Sequence, residues 1–393
     1  MTHFTRRSFL TLAASAALLP SWARAQEAEA SGWDEELNTF LAAAMAKTQT
    51  PGLSVAIVRK GQTLLARGYG LADVASGRPV TADTAFHIAS VSKTVTGTAM
   101  MMLFQDGKFG LDEPINKYLD FRVVHPRFPQ TPITFRQLMT HTSGISDQVY
   151  YATKAFAGSG DPALPLRDFL VGSLTPGGKW YSAEGCFGAA PGTAWDYCNV
   201  AVALLGYLAG RVGTDLKTLT QTRLFEPLGM RATSWTYAGL PPQGVATPYD
   251  CSGSAPVALP PTGYPDWPAG LLRTSARDFA RFLAVYTMQG SLDGHVYLTP
   301  ETLKTLLTPS AIPVAETGRH AGERQALSWQ LRDVADSHIA LHAGGDPGAS
   351  TVAVLDLDRQ TAVLAFANAG GHPGIRPFMQ EVVDRLLRRA RTA

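Results

Sequence analysis

The sequence predicts a mixed α/β (α+β) protein. An antiparallel sheet is built from both ends of the chain and flanked by terminal helices, with a mainly helical lobe inserted between its two halves. Three observations predict it. β-like segments joined by short turns lie near the N-terminal end and return only near the C-terminal end. Between them, apolar residues recur at helical spacing in segments bounded by caps and glycines. The chain has 393 residues, 45% hydrophobic and 17% charged, with no internal repeat. It is long enough to bury a large core and too apolar to stay disordered.

Residues 1–25 read as a signal peptide, outside the fold. Arg6-Arg7 precedes an apolar run from Phe9 to Leu19 and then Ala23-Arg24-Ala25, an A-x-A cleavage pattern. The run is too short to span a bilayer. Thr5-Arg6-Arg7-Ser8-Phe9-Leu10 resembles a twin-arginine export signal, with an ordinary Sec signal as the alternative. Either places the mature protein in the periplasm or outside the cell. Residues 26–393 read as a single domain. Its α/β lobe comprises about 33–85 and 325–393, and its helical lobe about 86–324.

The elements follow in order. Residues 33–47 read as an amphipathic helix. Leu53 to Arg59 and Thr63 to Gly68 read as strands joined by a Lys60-Gly61 turn. Ser90 to Asp106 is apolar at helical spacing and stops at Gly107. Thr134-Phe135-Arg136-Gln137 is a capping box for a helix ending before Gly144. A helix from Asn199 to Val212 stops at Gly213, and another runs from Ser275 to Gln289. Thr299-Pro300 opens a further one, with proline at its first position. Ala326 to Leu331, His338 to His342, Thr351 to Leu357 and Thr361 to Ala367 are β-like, and a helix from about Ile375 to Arg391 closes the chain. Residues 145–196 and 237–270 read as long irregular loops, the second with eight prolines. Such loops inside a compact domain are usually functional walls or lids.

Charge excludes one class of partner. Without Arg6, Arg7 and Arg24 the basic count falls from 34 to 31, against 32 acidic residues, which leaves no footprint for nucleic acid. The basic tail Arg385, Arg388, Arg389 and Arg391 reads as the solvated face and last turn of the terminal helix. Nothing after the signal calls for stable membrane insertion. Cys186, Cys198 and Cys251 are too few for a disulfide framework. One bridge with a spare thiol and three buried thiols are the two readings.

Three short motifs carry the chemistry. In Ser90-Val91-Ser92-Lys93 a serine opens a helix with a lysine at i+3, on the same face. A serine hydroxyl needs a base, and an ordinary lysine is protonated at neutral pH, so the pair needs a third group to share its proton. Lys93 alone of nine lysines has a serine three residues before it. Tyr197-Cys198-Asn199 is the one Tyr-x-Asn. Its phenol can relay the serine proton to a leaving group, and Asn199 can orient Lys93 or bind a substrate amide, besides capping a helix. His342-Ala343-Gly344 is followed by Gly345. His-x-Gly recurs at His320 and His372, but only His342 ends an apolar strand followed by two glycines. There the N–H of Gly345, with that of Ser90, would form an oxyanion hole, and a protonated His342 could hold an anionic substrate group. A half-buried strand histidine is the plainer alternative. Together the motifs describe serine acyl transfer without a Ser-His-Asp triad. No Gly-x-Ser-x-Gly, His-Glu-x-x-His or dinucleotide loop is present, and the chemistry calls for no cofactor or metal.

On these motifs the chain resembles the serine β-lactamase and penicillin-binding-protein family. It is most similar to the class C β-lactamases, the D-alanyl-D-alanine peptidases and the β-lactamase-like esterases. The resemblance covers about residues 35–390. It includes His87-Ile88-Ala89-Ser90-Val91-Ser92-Lys93, Leu138-Met139-Thr140-His141-Thr142-Ser143-Gly144, Pro191-Gly192 before Tyr197, Pro227-Leu228-Gly229-Met230 and Ala269-Gly270-Leu271. It implies a β-lactamase/transpeptidase-like fold and a small-molecule or peptide-like substrate. It also implies Ser90 as nucleophile, Lys93 and Tyr197 as acid/base pair, Asn199, His342 and Gly344 at the substrate, and Gly345 as oxyanion donor. Where class C β-lactamases have Lys-Thr-Gly, this chain has His342-Ala343-Gly344. The resemblance therefore points to an esterase, an amidase or a D-amino-acid peptidase before a β-lactamase, with a non-catalytic penicillin sensor as the reading from another class.

Overall fold

The computed structural model describes residues 21–153, 158–314, 322–334 and 337–392. The Arg6-Arg7 pair and the apolar run after it lie outside them. The chain packs as two units, Met1–Ala44 and Met45–Ala393. The described part of the first lies in helix α1 (Ser21–Thr48). This helix begins well before residue 33. The earlier stretch is rich in alanine and glutamate, which favour helix even without an apolar stripe. Among the described residues no helix is long and apolar enough to cross a membrane.

The second unit is organised by one eight-stranded antiparallel sheet. Its N-terminal strands are β1 (Gly52–Arg59), β2 (Gln62–Asp73) and β3 (Arg78–Pro79). Two short strands, β4 (Ala85–His87) and β5 (Arg273–Ser275), pair with each other outside it. The C-terminal strands are β6 (Arg324–Gln325), β7 (Gln330–Val334), β8 (Ser337–Asp346), β9 (Ala349–Asp356) and β10 (Thr361–Ala367). The spatial order is β6-β7-β8-β9-β10-β1-β2-β3. The two chain ends thus meet in mid-sheet, with Leu53 opposite Ala367 and Ile57 opposite Val363. Leu53 to Val58 and all of β10 are buried, the continuous apolar pattern of strands covered on both faces. The β1–β2 turn falls on Lys60 and Gly61, both at positive φ.

Helix α2 (Ser92–Gln105) is buried on every side from Ser92 through Leu103, so it has no solvent-facing polar stripe, and its polar residues Ser92, Lys93, Thr94, Thr96 and Thr98 lie inside. Helix α3 (Phe135–Met139) starts at the Thr134–Gln137 capping box, both arms of which are made. Helix α4 (Asn199–Val212) stops at Gly213. Helix α5 (Ala276–Thr287) is capped by Ser275 and lays Phe279 against Phe366 of β10 at 5.6 Å. The amphipathic C-terminal helix α6 (Ile375–Thr392) packs on β9 and β10 and buries Val382, Val383 and Leu386.

One strand expectation fails. Residues 326–329 turn instead of extending: Ala326 N–H donates to Trp329 O at 2.8 Å, and Ser328 has φ 64°. The apolar residues there are buried in the core, Leu327 and Trp329 among them, as the tip of the β6–β7 hairpin. A short apolar run does not by itself separate strand from buried turn.

Candidate active site

Ser90 sits in a 3-10 turn (Ala89–Val91) that leads into α2. Ala89 just before it has φ 46°, a left-handed conformation costing a non-glycine residue roughly 1–2 kcal/mol, of the kind that collects at functional sites. Ser90 is half-buried, whereas Ser92 is fully buried and accepts the Leu272 N–H at 3.1 Å. The two serines of the motif are thereby distinguished: one is accessible, the other is tied into the fold.

Lys93 is fully buried, and its Nζ has three acceptors: Ser90 Oγ at 3.0 Å, Asn199 Oδ1 at 2.7 Å and Ala269 O at 2.7 Å. The last two are carbonyl oxygens and can only accept. Two N–H bonds of the lysine are therefore committed whatever its charge. The third position points at Ser90 Oγ, as a donor in the ammonium and as a lone pair receiving the serine O–H in the amine.

Asn199 is held in turn. Its Nδ2 donates to Asp147 Oδ2 at 2.9 Å, which fixes Oδ1 toward Lys93. Asn199 is the first residue of α4 and not its cap. Cys198 is the N-cap, its sulfur accepting from Ala201 N–H. Asp147 completes the helix end by accepting from the N–H of Asn199 at 2.7 Å and of Val200 at 3.0 Å, and from the Cys198 thiol at 3.1 Å. An asparagine is a common cap, but a carboxylate from outside the helix takes the N–H groups of the first turn here, with favourable helix-dipole electrostatics. Burial pushes the Cys198 thiol well up, so it stays a donor. All three cysteines are free and buried.

Tyr197 comes next to this cluster. The Lys93 Nζ is 4.9 Å from its ring centre, and His141 packs on the ring at 4.5 Å. His141 has φ 57°, and its Nδ1 accepts the Cys198 N–H at 3.2 Å, which leaves the imidazole proton on Nε2. The Leu138–Gly144 motif and the Pro191–Cys198 segment are knitted by their backbones: Gly192 N–H to Thr142 O at 2.7 Å, Asp196 N–H to His141 O at 2.8 Å.

The third motif lies on β8 beside the nucleophile. A methyl group added to Gly344 would stand 2.4 Å from Thr351 Oγ1, 2.7 Å from Ile88 O and 2.9 Å from Ser90 N, so this position admits only glycine. Gly345 is exposed, and a methyl group added there would meet nothing within 4 Å. Thr351, across the strand pair from Gly344, donates to Ile88 O at 2.7 Å and holds β9 to the nucleophile segment. His342 is buried, its Nδ1 donating to Ala343 O at 3.0 Å and its ring 6.4 Å from that of Tyr197. The structure thus gathers Ser90, Lys93, Asn199, Tyr197, His342, Gly344 and Gly345 into one region. Sequence reasoning missed Asp147 and the Ala269 carbonyl. Asp147 lies in a loop without a local pattern, and a backbone acceptor has no residue signature.

A second buried carboxylate, Asp266, accepts from Tyr150 Oη at 2.5 Å. Burial pushes it up to about 7, with the Tyr150 hydroxyl and Lys93 opposing and Asp147 and Asp346 reinforcing the rise. The folded protein therefore binds this proton more tightly than the unfolded chain, whose aspartate titrates near 3.9. The stability from this group is full below about pH 4 and is lost as pH rises to about 7, on the order of 3–4 kcal/mol over that span. Asp266→Asn should flatten that slope. Thermal midpoints at pH 5 and pH 8 should show the variant gaining on the wild type at the higher pH, and parallel curves would contradict the assignment.

The fold has counterparts among known proteins. The Beta-lactamase family model matches residues 37–385. Protein flp of Staphylococcus aureus (strain NCTC 8325 / PS 47) is 24% identical over 341 residues, 85% of this chain and 63% of that protein. This chain spans less than two thirds of the length of the flp proteins. Esterase EstB of Burkholderia gladioli is 30% identical over 223 residues, 55% of this chain and 54% of that protein. Among solved structures, the D-amino acid amidase from Ochrobactrum anthropi SV3 superposes with a TM-score of 0.72 at 22% identity, covering 91% of this chain and 99% of the other, a likeness of fold. The matched family spans all three motifs, and the architecture around them is that of its solved relatives: the chain belongs to the Beta-lactamase family.

Proposed function

We propose that this protein is an exported serine hydrolase that cleaves an ester or amide, of the esterase, amidase or D-amino-acid peptidase type, through an acyl-enzyme on Ser90. One observation carries the reading: the buried Lys93 amine has two of its bonds committed to carbonyls and its remaining position turned to an accessible serine hydroxyl at 3.0 Å. Ser90 Oγ attacks the substrate carbonyl as its proton passes to the Lys93–Tyr197 unit. The oxyanion is held by the N–H groups of Ser90 and Gly345. The same unit protonates the leaving group, and water then releases the acyl group by the reverse proton path. The sequence around His342-Ala343-Gly344 favours neutral or amine-bearing substrates over β-lactams, because Ala343 offers no side-chain hydrogen bond to a carboxylate. The esterase and amidase relatives are consistent with this choice.

A panel of p-nitrophenyl esters, D-amino-acid amides and a chromogenic cephalosporin tests the reading. Repeated turnover of an ester or amide is expected, with kcat/KM for the cephalosporin lower by at least about tenfold, a difference of roughly 1.4 kcal/mol. Faster hydrolysis of the cephalosporin would make the protein a β-lactamase. A single stoichiometric labelling without turnover would make it a penicillin sensor.

A further inference from the structure

Asp346 is the last residue of β8, directly after Gly345. One of its carboxylate oxygens, Oδ2, accepts two hydrogen bonds: from His87 Nε2 at 2.8 Å and from Tyr264 Oη at 2.7 Å. A carboxylate only accepts, so His87 carries its proton on Nε2, and its buried Nδ1 has no partner among the described residues. Among the described residues Asp346 is the one hydrogen-bond partner of the imidazole, which also packs edge-on to the Tyr264 ring at 6.4 Å.

Each partner belongs to a different part of the machinery. His87 ends β4, three residues before Ser90. Tyr264 comes from the long 237–270 loop and lies against Gly270, where an added methyl group would be 2.2 Å from its hydroxyl oxygen. The neighbouring Ala269 supplies the carbonyl that accepts from Lys93. Burial and then the Asp346 charge push the Tyr264 phenol well up, so it remains a donor through the working pH range. On the other side of Gly344, Thr351 already ties β9 to Ile88. The glycine pair is therefore bracketed by two contacts to the nucleophile segment, one through Thr351 and one through Asp346.

We propose that Asp346 is a positioning residue for this site: by drawing His87 and Tyr264 to one oxygen, it sets the distance between the Gly345 N–H, the Ser90 turn and the Ala269 carbonyl. The proposal rests on the acyl-enzyme reading given above. Oxyanion stabilisation is geometrically demanding, and displacing a donor acts on the transition state more than on the bound substrate. The carboxylate would thus act on kcat through backbone placement, without touching the substrate.

The test begins by labelling the wild type with a fluorophosphonate. Labelling at Ser90 upholds the acyl-enzyme reading, and its absence overturns that reading and the role of Asp346 with it, whereas the variants below can overturn the role of Asp346 alone. Ester kinetics normalised to the labelled fraction, with thermal midpoints, are then compared for Asp346→Ala, Asp346→Asn, Tyr264→Phe and the Asp346→Ala/Tyr264→Phe double variant. Asp346→Ala is expected to lower kcat by on the order of 10²-fold with KM changed by less than about threefold. Asp346→Asn should recover most of that loss, because one amide oxygen can accept both bonds. Tyr264→Phe should cost roughly tenfold, and the double variant little more than Asp346→Ala alone. Should Asp346→Ala misfold, Tyr264→Phe removes one arm of the clamp with almost no change in volume. A drop in thermal midpoint with normalised kcat unchanged would overturn the proposal, as would an Asp346→Asn variant as impaired as Asp346→Ala.

Discussion

Lys93→Ala and Tyr197→Phe are each expected to lower kcat by on the order of 10³-fold, and the double variant to lose little beyond either single one. The reason is the arrangement at Nζ. With Asn199 Oδ1 and Ala269 O each 2.7 Å away, the lysine is anchored by two bonds, so its remaining position is held on Ser90 Oγ. Alanine at 93 removes the proposed proton acceptor and leaves both carbonyls without their donor. The Tyr197 ring lies beside the same amine and is set by the His141 ring at 4.5 Å. Phenylalanine keeps that packing and deletes only the hydroxyl. Two groups that handle one proton act as a unit, so removing the second after the first changes little. Losses that multiply in the double variant would show independent roles.

Asp147→Ala is expected to destabilise the fold by roughly 3–5 kcal/mol and to reduce turnover by at least about tenfold in the protein that remains folded. Asp147 is buried and takes four donors on two oxygens: the N–H groups of Asn199 and Val200, the Asn199 amide and the Cys198 thiol. Alanine strands all of them at a buried helix N-terminus, a cost set by desolvated donors and not only by lost bonds. Asn199 would then lose the contact that turns its oxygen toward Lys93. Asp147→Asn should not rescue, since an amide places N–H groups against N–H groups. Denaturant unfolding with active-site titration separates the two effects. A variant within about 1 kcal/mol of wild type at full kcat would contradict this role.

The sequence resolved what depends on local periodicity. Ser90 and Lys93 could be placed together because i and i+3 share a helix face whatever the tertiary fold. The ends of α4 at Gly213 and of α5 at Ser275 follow from glycine and serine chemistry within a turn or two. The pairing of the chain ends in one sheet was readable from where the β-like segments lie. What was not readable depends on parts of the chain far apart in sequence. Asn199 looked like its own cap because nothing nearby announced that Asp147, 52 residues earlier, would reach the helix end. Residues 326–329 looked extended because burial of Leu327 and Trp329 is compatible with either a strand or a turn. From the sequence Gly344 reads only as the glycine of the third motif, at the substrate. The neighbours that demand it, Thr351, Ile88 and the Ser90 nitrogen, come from two other segments.

The central claim is that Ser90 is the nucleophile. Intact-mass analysis after reaction with a fluorophosphonate tests it most directly. One adduct per chain is expected, mapped by peptide fragmentation to Ser90, absent in Ser90→Ala and slowed in Lys93→Ala. An adduct of the same mass that persists in Ser90→Ala would contradict the account.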